Sequence, residues 1–257
     1  MYFTGKEADL TAPHSVNEGP QGVIPFALQP PLALQFMKAV NFPSQLNSIA
    51  MHRNKMYTAQ ESSQLLEIEN FLGNKQTGRI IGVLGVVSCV QVYEEQLYVA
   101  AWAQNQLFIK ILDMTGHEIR SWSHGQRSSR YNMIRVLSAG VVVPCETEGA
   151  LCVYSFTGDV LKTIKCPVSK GGWKAMAKCG DNSVIVSDWG HHEGVIFRVD
   201  IDSGAVMWTY KCIQCPEGVV CYKDRYVLVS NYNSDTRIWI LDINTGESTS
   251  PIHSINN

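Results

Sequence analysis

Between residues 44 and 250 the chain alternates short apolar runs with polar turns, and the runs are rich in β-branched residues with no apolar stripe at helical spacing. Five stretches of this kind align: 55–73 (KMYTAQESSQLLEIENFLG), 96–116, 140–158, 183–204 and 226–246. Each has an apolar run, a polar turn, a second apolar run and a closing turn that ends in glycine. The closing glycines, Gly73, Gly116, Gly158, Gly204 and Gly246, recur every 42–46 residues, and the landmarks Tyr57, Tyr98, Val142, Ile185 and Leu228 recur every 41–44. Turns such as Asp113-Met114-Thr115-Gly116 and Asn244-Thr245-Gly246 suit hairpins, because glycine reaches positive φ and an Asp or Asn oxygen accepts hydrogen bonds from its own turn. Another apolar segment precedes each hairpin (47–51, 88–92, 133–137, 174–177, 218–222), and a fourth usually follows (118–122, 160–164, 205–210). Four strands at this period predict an all-β fold, a β-propeller of four-stranded antiparallel blades. Five blades are recognisable, as a five-bladed ring or an incomplete six-bladed one.

Composition gives the pattern a cause. Only 17% of the 257 residues are charged and 45% are hydrophobic, against about 25% charged in an average soluble protein. Stacked blades cover their inner strands on both faces, so those strands read as unbroken apolar runs such as Val141-Val142-Val143. Residues 1–40 hold Pro13, Pro20, Pro25, Pro30 and Pro31, half of the 10 prolines, and read as an extended linker ahead of a propeller at 41–257. Within the join, Gln35 to Phe42 is expected to close the ring as the outer strand of the last blade. The N-terminal segment lacks the apolar run of a secretory signal, and the longest apolar stretch, 80–92, is interrupted by Gly82, Gly85 and Ser88. A cytoplasmic protein with reduced cysteines and no membrane span is the expectation. Lys plus Arg total 21 and Asp plus Glu 23, net −2, so no global basic field points to DNA.

The segment VSDWGHHEGVIFRVDIDSGAVMWTYK followed by CPEGVVCYKDRYVLVSNYNSDTRIWILDINTG resembles NHL-type repeats, in particular those of invertebrate tripartite-motif proteins. The matching motifs are Val186-Ser187-Asp188-Trp189, at the hairpin, and Pro216-Glu217-Gly218-Val219, at entry to the next blade. The resemblance spans 41–247 and is best over 171–246. His191-His192 stand where the family has Asn-His, the first and third units lack the Asp, and residues 1–40 hold no RING or B-box cysteine pairs. It therefore implies the recognition module without ligase activity. Asp202-Ser203-Gly204-Ala205-Val206-Met207-Trp208 is also similar to the repeat of quinoprotein-like propellers, in which the Trp docks one blade on the next.

Candidate chemistry gathers in the loops expected on one face. Arg127, Arg130, Tyr131, Trp173, Lys174, His191, His192 and Arg237 are the candidate partner-binding residues. Trp102, Trp189 and Tyr232 occupy one hairpin position in three units, as inter-blade packing anchors or as binding aromatics. Neighbouring histidines in a hairpin point oppositely, and Cys212 and Cys215 have no second pair to complete a zinc site, so no metal and no cofactor are expected. No nucleophile and base, and no pair of carboxylates, is readable as catalytic machinery. The expected role is non-catalytic recognition of a protein partner. The alternatives are RNA binding through a basic and aromatic face and, in a further class, a metal-dependent lactonase-like hydrolase. Glu61, Glu146, Glu148, Asp188, Glu193, Glu217 and Asp235 share the expected face with the basic residues and offset their charge, which ranks protein above RNA. Oligomeric state is left open by the sequence.

Overall fold

The computed structural model describes residues 3–4, 35–36, 46–60, 64–69, 77–83, 85–126, 133–145, 148–168, 172–189, 194–213, 215–231 and 238–252. By internal packing the chain divides into two units, Met1–Asn41 and Phe42–Asn257. In the first, β1 (Phe3–Thr4) pairs antiparallel with β2 (Gln35–Phe36).

The second unit is a five-bladed β-propeller, each blade a four-stranded antiparallel sheet in chain order. Its first blade holds β3 (Leu46–His52), β4 (Lys55–Gln60), β5 (Gln64–Glu69) and β6 (Thr77–Ile81). The second holds β7 (Val86–Tyr93), β8 (Gln96–Ala103), β9 (Gln106–Asp113) and β10 (Glu118–Gln126). The third holds β11 (Arg135–Leu137), β12 (Gly140–Cys145), β13 (Ala150–Tyr154) and β14 (Val160–Lys165). The fourth holds β15 (Trp173–Cys179), β16 (Ser183–Asp188), β17 (Gly194–Asp200) and β18 (Val206–Ile213). The fifth holds β19 (Pro216–Tyr222), β20 (Tyr226–Asn231), β21 (Ile238–Asp242) and β22 (Ser248–Ile252). Among the described residues there is no helix, and so none long and apolar enough to cross a membrane.

The first strand of each blade lies at the central channel, and the fourth lies at the rim. Burial follows from that order. Every residue of β16 is buried, as are the first five of β12, because neighbouring blades cover both faces of a second strand. The rim strands β6 and β14 are mostly exposed. The channel-side and second strands together hold Val99, Val142, Val186 and Val229 in three buried clusters, where each such side chain contributes roughly 1.5–3 kcal/mol on burial.

One expectation needs correction. Gln35–Phe36 pairs with Phe3–Thr4, while the fourth strand of the fifth blade comes from the other end of the chain, as β22 on β21. The physical reason is local. Asp242 N donates to the Glu247 carbonyl at 2.9 Å across a tight turn, so β22 forms as a hairpin without the loop closure that pairing the two ends of the chain would require.

Successive blades are clasped at the rim by one repeated device. The turn between third and fourth strands of each later blade is held by an Asp or Ser: Asp113 Oδ1 accepts from Thr115 N at 2.8 Å, Asp200 Oδ1 from Ser203 N at 2.8 Å, and Asp242 Oδ1 from Asn244 N at 2.8 Å, while Ser155 Oγ accepts from Thr157 N at 3.2 Å. The carbonyl of the next residue then accepts from the preceding blade. Arg79 donates to Met114 O (3.1 Å), Arg120 to Phe156 O (3.4 Å), Lys162 to Ile201 O (3.1 Å), and both Arg198 (2.9 Å) and Trp208 Nε1 (2.8 Å) to Ile243 O. The closing glycine presses on the same preceding blade: a Cβ on Gly116, Gly158 or Gly246 would lie 2.6 Å from Ile81, 2.9 Å from Trp122 or 2.6 Å from Trp208. Trp208 thus docks one blade on the next. Arg79 also pairs with the buried Glu67 at 3.0 Å, with Lys55 at 3.2 Å on the same carboxylate. Burial alone would raise the Glu67 pKa, but the hydrogen bonds from Lys55 and Arg79 outweigh it and hold the group below its usual value.

Candidate functional site

The channel opens at one end into a cavity of about 410 Å³, bordered by the inner strands of all five blades. Because strands alternate in direction, this is the end where every first strand begins and every second strand ends. It is also where the loops singled out in the sequence would gather.

In four blades the first strand carries a β-bulge at one equivalent place, where the register slips between Leu46 and Ser48, Val87 and Cys89, Trp173 and Ala175, and Pro216 and Gly218. The extra residues are Asn47, Ser88, Lys174 and Glu217, each five positions before its strand ends, and all four border the cavity. A bulge leaves one residue outside the ladder and re-aims its side chain. The same backbone device therefore presents four different polar groups at the mouth.

Those groups differ in how they are held. The Asn47 amide donates to Val87 O at 3.1 Å and the Ser88 hydroxyl to Ala100 O at 3.2 Å. Lys174 has Trp189 and Glu217 as partners among the described residues. Its ammonium sits 4.1 Å from the centroid of the Trp189 ring and 4.0 Å from a Glu217 carboxylate oxygen on the next blade. The Lys174 side chain is 8% exposed, against 43% for Glu217. An ammonium over an indole face gains about 0.5–2 kcal/mol, more as water is excluded. Arg135, on the third blade, also borders the cavity; its Nη1 donates to Ile134 O at 2.6 Å and approaches Cys89 Sγ at 3.9 Å. Cys89 Sγ in turn accepts from Ile134 N and Ser48 Oγ, each at 3.5 Å, joining the inner strands of three blades. Among the described residues no three His, Cys, Asp or Glu side chains are grouped as a metal ion would need.

The structure distributes the candidate residues unevenly. Lys174 lines the mouth, and Trp189, 40% exposed, stands beside it. Trp173, expected on the binding face, is 2% exposed and packs edge-on against Phe197 at 6.1 Å, so its ring belongs to the core. Trp173 and Lys174 are consecutive in β15, and successive side chains of a strand point to opposite faces, so the indole turns into the core while Lys174 borders the cavity. Trp102 is partly buried against the core. The equivalent hairpin position is thus a packing anchor in the second blade and an exposed aromatic in the fourth. Arg127, Arg130, Tyr131, His191, His192, Tyr232 and Arg237 lie outside the described residues. Sequence reasoning did not find Asn47, Ser88, Ser48 or Ser230 as mouth residues. Their signal is position alone, at the channel end of a first or second strand, and it is legible only after the blades are in register.

The sequence matches no protein-family model and no curated protein. The fold does have counterparts among solved structures. The WD40 β-propeller domain of Doa1 superposes with a TM-score of 0.62 at 13% identity, covering 82% of this chain and 69% of that one. A protein of unknown function from Bacteroides caccae gives 0.64 at 11% identity, covering 86% of each chain. Virginiamycin B lyase from Staphylococcus aureus gives 0.64 at 16% identity, covering 84% of this chain and 72% of that one. These likenesses carry the architecture and nothing finer: the chain has the fold of a β-propeller.

Proposed function

We propose that this chain is a non-catalytic recognition propeller of the NHL type, which offers its channel-mouth face to a protein partner. The observation that carries the reading is the set of equivalent bulges. Four blades keep one backbone geometry at the mouth and fill it with Asn47, Ser88, Lys174 and Glu217. Function is argued from a site and not from a fold, and a position whose geometry repeats while its chemistry varies is where a repeat protein writes specificity. The two NHL-like motifs meet there. Val186-Ser187-Asp188-Trp189 ends β16 with the exposed indole, and Pro216-Glu217-Gly218-Val219 is the bulged start of β19. An exposed Trp flanked by Lys and Glu is the residue type that anchors protein interfaces.

The test is capture by the whole chain, immobilised, compared with a Trp189→Ala variant. A protein that the wild type retains at moderate salt and after ribonuclease treatment, and that the variant loses, is the expected result. Retention that ribonuclease abolishes, or that falls steeply with salt, assigns the face to RNA. Retention equal in both proteins removes the mouth from the reading.

A further inference from the structure

Among the described residues seven cysteines carry free thiols, and two of them meet across a blade interface. Cys179 ends β15 and Cys221 is next to last in β19, the first strands of the fourth and fifth blades. First strands begin at the mouth, so both cysteines stand at the opposite end of the channel. Cys179 is 2% exposed and belongs to the buried cluster that joins these blades, with Ile185 and Trp208 from one side and Val227 and Leu241 from the other. Cys221 is partly exposed and packs against the same cluster, and the two thiols are hydrogen-bonded to each other.

A guanidinium stands beside the pair. Arg198 Nη2 donates to Ser183 Oγ at 3.3 Å, and Ser183 is the ladder partner of Cys179; Nη1 reaches across to Ile243 O of the fifth blade at 2.9 Å. Arg198 Nε is buried with no hydrogen-bond partner among the described residues. The hydrogen bond from Cys221 holds the Cys179 thiol below its ordinary value, and the Arg198 charge adds to that effect against burial and Asp224. The same bond raises Cys221, which makes Cys221 the proton donor and Cys179 the thiolate. The thiolate, and not the thiol, is the nucleophile toward an oxidant. Elsewhere burial works the other way, pushing the Cys152 thiol up to about 11 and the Cys166 thiol up to about 12.

We propose that Cys179 and Cys221 form an oxidation site for hydrogen peroxide, closing to a reversible disulfide that staples the fourth blade to the fifth at the channel end opposite the mouth. The Cys179 thiolate attacks a peroxide oxygen: the S–O bond forms, the O–O bond breaks, and the departing hydroxide takes the Cys221 proton and leaves as water. The Cys221 thiolate then attacks the sulfenic sulfur of Cys179: the S–S bond forms, the S–O bond breaks, and the second hydroxide is protonated by solvent. The sulfurs are oxidised and the peroxide oxygens are reduced to water. The enclosure of Cys179 selects the oxidant, since peroxide is little larger than water and a peptide disulfide is not. The site lies on the same two strands that carry Lys174 and Glu217 at their other ends, but it stands independently of what the mouth binds.

The experiment treats the reduced full chain with hydrogen peroxide near neutral pH, blocks the remaining thiols by alkylation, and maps the peptides without reduction. A cross-link between Cys179 and Cys221 should form first, ahead of one between Cys145 and Cys152, which neighbour each other within a single hairpin of the third blade. Dithiothreitol should reverse it, and the oxidised protein should melt about 5 °C or more above the reduced one. Cys221→Ser removes the resolving thiol, so peroxide should leave a sulfenic acid on Cys179 that dimedone labels. A measurement free of variants is phenylarsine oxide, which bridges two thiols only where both sulfurs can close on one arsenic; it should protect Cys179 and Cys221 together from alkylation. Both cysteines still alkylated after peroxide, oxidation of either without the cross-link, or no protection by the arsenical overturns the proposal. A cross-link that leaves the melting temperature unmoved overturns the staple, and oxidised glutathione acting as fast as peroxide overturns the choice of oxidant.

Discussion

The rim and the mouth of this propeller are both built by repetition, yet they repeat different things. At the rim, backbone geometry and chemistry recur together. An Asp or Ser holds the turn, a donor from the preceding blade takes the next carbonyl, and the closing glycine presses on Ile81, Trp122 or Trp208. At the mouth only the geometry recurs. The bulge stays, and its residue changes from Asn47 to Ser88 to Lys174 to Glu217. A solenoid-like array is stable in proportion to the interfaces between neighbouring units, so a clasp must satisfy the same physical demand in every blade and converges on one solution. A side chain aimed into a channel satisfies no such demand and is free to be chosen for a ligand. The difference separates what holds the ring from what it can bind.

That separation is broken most severely at Trp208. Its ring is 8% exposed and packs on Gly246, and its Nε1 donates to Ile243 O at 2.8 Å. Trp208→Ala removes the packing and leaves a buried carbonyl with one donor fewer. A loss of about 3–5 kcal/mol is expected, measured by urea denaturation, and a loss below about 1 kcal/mol would mean that the clasp does not hold the blades. Gly246→Ala attacks the same contact from the other side. Gly246 has φ +72°, and its added Cβ would meet Trp208 Cε3 at 2.6 Å, so both backbone strain and overpacking destabilise, by about 2 kcal/mol together.

A smaller effect is expected at the contact between the second and third blades, where His124 is enclosed. Pro144 offers only a carbonyl, so Nε2, 3.2 Å away, carries the hydrogen, and Nδ1 accepts from the Tyr154 hydroxyl at 2.8 Å. Burial lowers the His124 pKa, more strongly than the Pro144 carbonyl and Glu148 raise it. Between that lowered value and the ordinary one, near about 6.5, the unfolded chain binds more protons than the folded one, so stability rises with pH in this window and falls on acidification through it. Glu67, Glu118, Asp113 and Asp200 all titrate below their ordinary carboxylate values and stay charged there. The melting temperature of the wild type should therefore drop between about pH 7 and pH 5.5, and His124→Phe should flatten the drop. Parallel curves for the two proteins would contradict the assignment.

The rim was legible in the sequence and the mouth was only half so, for a physical reason. Turn glycines and their Asp partners are demanded by backbone conformation, so they show as residue types at fixed spacing, and Gly116, Gly158, Gly204 and Gly246 marked the blades directly. A bulge inserts one residue into a strand without changing the apolar character on either side. The period of 42–46 residues absorbs it silently. In the sequence Trp173 and Lys174 read as neighbours on one face, although consecutive residues of a strand point oppositely, and in β15 Trp173 is the one that is buried while Lys174 borders the cavity. Lys174 and Glu217 were both legible as charges on the same face, but their pairing across blades required the ring. The choice between Gln35 and Ser248 for the last outer strand was not legible either, since both are short segments able to pair and only the hairpin connection decides between them.

The smallest effect is the sharpest test of the contrast. Glu217→Gln alters a mouth residue on a first strand, away from the turns between third and fourth strands that hold the rim. Its carboxylate is 43% exposed and 4.0 Å from Lys174, and ion pairs of that exposure contribute about 0–1 kcal/mol. Gln keeps the length and a carbonyl oxygen, and the bulge itself is fixed by Pro216 and Gly218 pairing with Asn231 and Ser230, contacts that the substitution leaves alone. The melting temperature should therefore move by no more than the equivalent of about 0.5 kcal/mol. A shift as large as that of Gly246→Ala would show that the Lys174–Glu217 pair is a clasp like those at the rim, binding the fourth blade to the fifth, and the mouth would then be structure in the same sense as the rim.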